Sequence, residues 1–226
     1  SACDAFHRSI FRELGKWIYE KHRMRTQTTD TAVPQACALI TAPPAAGKTC
    51  LTLQLAMHMI STSLSVGHGK APLIPILIKI QDLQHELLRQ DANAQATFQS
   101  KWNWIDAYLS LQHGEDSEPY LCLRQALMAR RVVLILDGID EGGRLVPNHI
   151  VNVLVSQGFP IIATSRPFGA LSEQLGNVGF QELRLMALSD SQQKDLIAKR
   201  VSGPERSEQL VRCAILACHS FIYFSL

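Results

Sequence analysis

The most specific chemistry in this 226-residue chain lies in Ala42-Pro43-Pro44-Ala45-Ala46-Gly47-Lys48-Thr49-Cys50. A bound phosphate chain needs inward-pointing backbone N–H groups, the positive end of a helix, a lysine for its terminal phosphates and a hydroxyl to hold Mg²⁺. The segment supplies these in order: Pro44, Ala45, Ala46, Gly47, Lys48, Thr49 and Cys50 as the cradle, Lys48 as the cation and Thr49 as the metal hydroxyl. Two positions where such loops often carry Gly are Ala42 and Ala45, and a positive φ at either would carry strain that Gly avoids. A second set follows far downstream. Asp137 ends the apolar run 131–137 (RVVLILD), and Gly138-Ile139-Asp140-Glu141-Gly142-Gly143 come next. A carboxylate at the C-terminal end of a buried strand faces the crevice where open α/β sheets bind ligands. There Asp137 can orient Mg²⁺, and either Asp140 or Glu141 can reach a water aligned on a γ-phosphate. Arg166, just past the run 159–165 (FPIIATS), offers a planar fork to phosphate oxygens and is expected to sense the γ-phosphate.

These residues need a scaffold of alternating strands and helices. The β-leaning run 38–41 is broken by Pro43 and Pro44, after which Leu51, Leu55 and Met59 recur at a helical period. Residues 72–80 (PLIPILIKI) read as a parallel strand buried on both faces, its two prolines placing it near a sheet edge or leaving it paired on one side only. Helical patterns cover 83–89, 102–111 and 121–130, separated by polar 91–99 and acidic 113–119, with Trp102 and Trp104 as core anchors. A short helix is expected over 149–156. Strands are expected over 131–137, 159–165 and 181–188, and Ser189 caps a helix over 190–201. At the N-terminus, Phe6, Ile10, Leu14, Trp17 and Ile18 form one stripe of a helix over 6–23, expected to pack on the core, and 26–35 is a linker. The alternation predicts an α/β protein with a parallel sheet between helical layers.

Composition narrows the partners. Hydrophobic residues make up 46% and the net charge is only +2, with no basic run longer than Arg130-Arg131, so neither nucleic acid nor an anionic membrane is expected. No apolar window is long enough to span a bilayer, and the first residues given show no basic-then-apolar signal pattern. The six cysteines contain no CxxC pair and are expected to be reduced, buried, cytoplasmic thiols. The chain opens without Met and ends within the apolar 211–226, as a piece of a longer chain would.

PPAAGKT, LILDGIDEGG, IIATSRP and LRLMALSDSQQKDLIAKRV, in that order, make residues 36–201 resemble a NACHT-type NTPase of the signal-transducing STAND class of P-loop NTPases. The most specific match is the small Gly138 after Asp137, followed by the acidic pair. The resemblance implies a three-layer α/β/α domain over 36–188 with a five-stranded parallel sheet in the order 5-1-4-3-2. Residues 1–35 would form an N-terminal helix and linker, and 189–226 the start of a truncated helical domain. It further implies ATP or dATP with Mg²⁺, slow hydrolysis, ATP and ADP as ligands, and protein partners or self-association. Two other readings stand beside it. One is a non-hydrolysing scaffold, suggested by Ala42 and Ala45; the other is a small-molecule kinase, disfavoured by the lack of an Arg-rich lid.

Overall fold

The computed structural model describes residues 13–21, 36–65, 73–167, 169–186, 190, 191 and 194. The linker 26–35, most of the helix expected over 190–201, the apolar tail, Cys3, Cys213 and Cys218 lie outside them. All but the last few described residues belong to one compact unit, His7–Leu185; the other unit joins Ser1–Phe6 to Met186–Leu226.

The larger unit is built on five parallel strands: β1 (Cys37–Thr41), β2 (Ile74–Lys79), β3 (Val132–Asp137), β4 (Ile161–Ser165) and β5 (Gln181–Arg184). They lie in the order β2-β3-β4-β1-β5, which is the expected 5-1-4-3-2 read from the other edge. The three central strands are buried along their whole length, as runs of Val, Ile and Leu with helices on both faces require. Strand β2 pairs only with β3, so Pro75 forfeits no interior ladder bond. Its burial is partial and ends at an exposed Lys79, so the expectation of a strand covered on both faces does not hold at this edge.

Alternate residues feed two cores. On one face Ile40, Ile135 and Ile162 pack with Leu55 and Met59 of α2 (Lys48–Ser65) and with Ile18 of α1 (residues 13–21). The described part of the N-terminal helix is thus a piece of the core, with Ile18 fully enclosed. On the other face Leu39, Leu134, Leu136 and Ala163 meet a layer of helices. These are α3 (Ile80–Leu88), α4 (Ala92–Ser100), α5 (Trp104–His113), α6 (Glu118–Met128) and α7 (Leu145–His149), the last running into a π-helical turn at Ile150–Val155. Each large aliphatic side chain so enclosed contributes about 1.5–3 kcal/mol relative to exposure.

Caps explain the helix starts. Asp91, Asn103 and Ser117 accept hydrogen bonds from the N–H groups of Asn93, Asp106 and Tyr120, at 3.0, 2.9 and 3.2 Å. The polar stretch 91–99 is therefore a capped helix and not a separator; with only Ala94 buried it shows no apolar stripe to read. The short α8 (Gly169–Gly176) was also not expected. Helix α6 ends in a Schellman motif, Arg131 N–H to Ala126 O at 2.9 Å and Arg130 N–H to Leu127 O at 3.0 Å. The left-handed position usually given to Gly is filled by Arg130 at φ +56°, its guanidinium 4.8 Å from the Trp102 ring centroid and 5.0 Å from that of Phe159. Both tryptophans pack on the core as expected. The cysteine reading needs correction: Cys37 is buried, but Cys50 and Cys122 sit on the open faces of α2 and α6 and are exposed. Among the described residues no helix is long and apolar enough to cross a membrane.

Candidate functional site

Strand β1 ends at Thr41, and the chain turns at once. The Ala42 N–H donates to Ser165 O at 3.1 Å, tying the loop base to the end of β4. A turn follows, closed by Ala46 N–H to Pro43 O at 3.3 Å, with Pro44 and Ala45 at its central positions. Ala45 has φ +60°, the left-handed geometry for which turns favour Gly after Pro, so the strain anticipated at Ala42 or Ala45 falls on Ala45. Gly47, at φ +88°, meets no atom within 4 Å of a built Cβ; conformation and not space demands glycine there. The Gly47 carbonyl takes the first helical bond, from Leu51 N–H at 2.9 Å, and the first turn of α2 carries no acid to compete for an anion. Lys48 folds back so that its Nζ donates to Ala42 O at 2.8 Å and Pro43 O at 3.0 Å. Thr49 and Cys50 are exposed at the helix start. Pro44 lines the loop but has no N–H to give.

Two strands away, Asp137 is buried, 8% exposed. Its Oδ1 accepts from the Thr164 hydroxyl at 2.6 Å, and the same hydroxyl accepts from Gly138 N–H at 2.9 Å. Gly138, at φ +78°, swings the chain into a 3₁₀ turn, Ile139–Gly142, that holds Asp140 and Glu141. Asp140 is tightly held: its side chain is 6% exposed, Oδ1 accepts from Arg166 N–H at 3.1 Å, and Oδ2 lies 3.4 Å from Arg166 Nε. Glu141 is 42% exposed and only 3.9 Å from Arg166 Nη2. Behind the turn, a Cβ on Gly142 would stand 2.5 Å from Val146 Cβ and 2.8 Å from Ile80 Cγ2. His149, at the end of α7, stacks on Trp104 with ring centroids 4.1 Å apart, and its Nε2 accepts from Trp104 N–H at 3.3 Å. Burial pushes the His149 imidazole down to about 4.

Three consecutive residues at the tip of β4 thus gather the site. Thr164 holds Asp137, the Ser165 carbonyl holds the loop base, and Arg166 holds the acidic pair. With strands about 4.8 Å apart, loop and carboxylate flank one crevice about 10 Å wide. Arg166 was expected to face a phosphate; here it pairs with the acids. Thr164 was missed altogether, because a hydroxyl in an apolar run signals nothing until the strand order sets it beside Asp137.

The donors suit Mg²⁺ shared with phosphates. Thr49 and Asp137 offer hard oxygens, and among the described residues no cluster of three His, Cys, Asp or Glu forms a cage of its own. Asp137 Oδ2 has no hydrogen-bond or ion-pair partner among them. No protein-family model matches the chain, and no curated protein matches it in sequence. Solved structures do match. Drosophila ORC bound to DNA is 14% identical with a TM-score of 0.50, over 89% of this chain and 46% of that one. C. elegans PCH-2 is 15% identical with a TM-score of 0.46, over 83% and 46%, and katanin, solved for its self-assembly, is 14% identical with a TM-score of 0.48, over 86% and 56%. The chain spans about half the length of these neighbours. At such identities the likeness carries the fold alone, a five-stranded parallel α/β sheet of the P-loop type.

Proposed function

We propose that the chain is a Mg²⁺-dependent ATP-binding switch of the NACHT type, taking ATP or dATP and hydrolysing it slowly, with nucleotide state controlling conformation and assembly with protein partners or further copies in the cytoplasm. One observation carries this reading: the tip of β4 joins a lysine-bearing loop, a buried carboxylate and an acidic pair at one crevice. In this reading the loop from Ala45 to Cys50 turns its N–H groups and the end of α2 toward the phosphates. The Lys48 ammonium leaves Ala42 O and Pro43 O for the β- and γ-phosphates. Thr49 Oγ1 and Asp137 would hold Mg²⁺, which when bound would supply neutralisation of the phosphate charge. Of the two acids, Glu141 is the better water-positioning residue, since it is exposed and loosely held, whereas Asp140 is occupied by Arg166 through both oxygens. Arg166 reads the γ-phosphate by exchanging the acids for it.

A second reading rests on the same loop. Lys48 already satisfied by two carbonyls, with Ala45 in a glycine conformation, also suits a closed loop in a non-hydrolysing scaffold. Thermal unfolding separates them. Mg-ATP at a hundred times its dissociation constant should stabilise the chain by about 2.7 kcal/mol. Lys48→Ala should abolish that gain, and Glu141→Gln should keep it while stopping turnover. Turnover that survives Glu141→Gln but not Asp140→Asn reverses the assignment of the acids; no Mg-ATP stabilisation of the wild-type chain leaves the scaffold.

A further inference from the structure

We infer that Thr164 is a positioning residue that selects which oxygen of Asp137 faces the metal and couples that choice to the acidic turn, an inference that rests on the nucleotide reading above. Thr164 is fully buried at the centre of the sheet edge, between β1 and β3. A hydroxyl carries one proton and two lone pairs. Here the proton goes to Asp137 Oδ1 at 2.6 Å, and one lone pair takes Gly138 N–H at 2.9 Å. The arrangement has one sense only: an amide cannot accept, so the hydroxyl must accept from Gly138, and its single proton then belongs to the carboxylate.

Two consequences follow from that sense. Asp137 Oδ1 is engaged by a charge-assisted donor, so Oδ2 is the oxygen left for Mg²⁺, and the carboxylate is held against rotation about its last bond. Gly138, which opens the acidic turn at φ +78°, is anchored to the same oxygen atom, so Asp137 cannot turn without disturbing the start of the segment that carries Asp140 and Glu141. The β-branch of threonine adds stiffness: a restricted χ1 keeps the hydroxyl aimed where serine would let it wander.

The test compares Thr164→Val, which keeps the shape and deletes the hydroxyl, with Thr164→Ser, which keeps the hydroxyl. ATP affinity is titrated with Mg²⁺ and in EDTA for the wild type and both variants. The valine chain should bind ATP in EDTA as the wild type does, but lose about 10–100-fold of the affinity that Mg²⁺ adds, the usual cost of removing a partner of a metal ligand. The serine chain should retain most of it. In an Asp137→Asn background, Thr164→Val should cause no further loss. Should the valine chain not fold, Thr164→Ala carries the same expectation. Full Mg²⁺ preference in the valine or alanine chain overturns the inference alone, as does a serine chain that behaves like valine, or equal losses in EDTA and Mg²⁺. A wild-type chain without Mg²⁺-dependent binding overturns the nucleotide reading and this inference with it.

Discussion

Pro43, Pro44 and Ala45 of the phosphate loop are exposed and held by one turn bond and the fold-back of Lys48, whereas the acidic turn across the crevice is wedged against Val146 and Ile80 and pinned at its start to Thr164. The loop stores strain at Ala45, in the open, where neighbours do not resist a shift. The turn stores none of that kind, since its left-handed positions are glycines. A segment that must wrap a ligand benefits from slack, and one that must aim a carboxylate at a water benefits from a packed backing. The crevice therefore has one adaptable wall and one preorganised wall.

The sharpest way to break this contrast is Gly142→Ala. The added methyl would overlap Val146 and Ile80, both part of the buried face, so overpacking should cost about 1–3 kcal/mol. Urea unfolding should show a lower midpoint at an unchanged slope. A loss under about 0.5 kcal/mol, the level of an ordinary surface change, would make the turn as soft as the loop.

A smaller effect should come from pH, acting on the support behind the turn. His149 is neutral when folded and pushed down to about 4, against an ordinary value of 6.5. Between those values the unfolded chain binds the extra proton, so this contribution is complete above about 6.5 and is lost as pH falls toward about 4. Protonation would also place a second N–H against Trp104 N–H, where a lone pair now accepts. His149→Phe keeps the stack and removes the titration, so its melting temperature should fall less than that of the wild type across this window. Parallel profiles would show that the imidazole titrates alike in both states.

The smallest effect belongs to the loop. Ala45→Gly relieves about 1 kcal/mol of left-handed strain and adds a backbone-entropy cost of about 0.5–1 kcal/mol, so stability should stay within about 0.5 kcal/mol of the wild type. A gain well above 1 kcal/mol, measured by the same urea titration, would reveal a loop far more tensed than its exposure implies.

The strands were readable because runs of Val, Ile and Leu leave few alternatives, and the two prolines of 72–80 pointed to a sheet edge; their order came from the family resemblance, since spacing by itself gives only the alternation of strand and helix. Helix α4 was not readable, since a helix held by an Asp91 cap and a single buried Ala94 has no apolar period. Cys50 and Cys122 were misjudged for a related reason: an apolar run along a surface helix still turns some members outward. For the candidate site, residue types and spacing picked out Lys48, Asp137 and the acidic pair. They could not reveal that Arg166 binds those acids or that Thr164 orients Asp137, because both contacts join the end of β4 to the end of β3 or the turn after it, across 26 or more residues of chain.

Strand β3 is pinned at both ends, and this makes its length a ruler. At its start, the Schellman bond from Arg131 and the guanidinium of Arg130 over Trp102 and Phe159 fix where the strand begins. At its end, Thr164 fixes where Asp137 must stand. Successive side chains alternate faces, so inserting or deleting one residue between them would exchange Asp137 with Leu136 or Gly138 and turn a carboxylate into the core. Val132 to Leu136 can therefore exchange one aliphatic side chain for another over evolutionary time, yet the count from Arg130 to Asp137 cannot change. The exposed residues 114–116 between α5 and α6 are under no such restriction and are a place where this domain can lengthen.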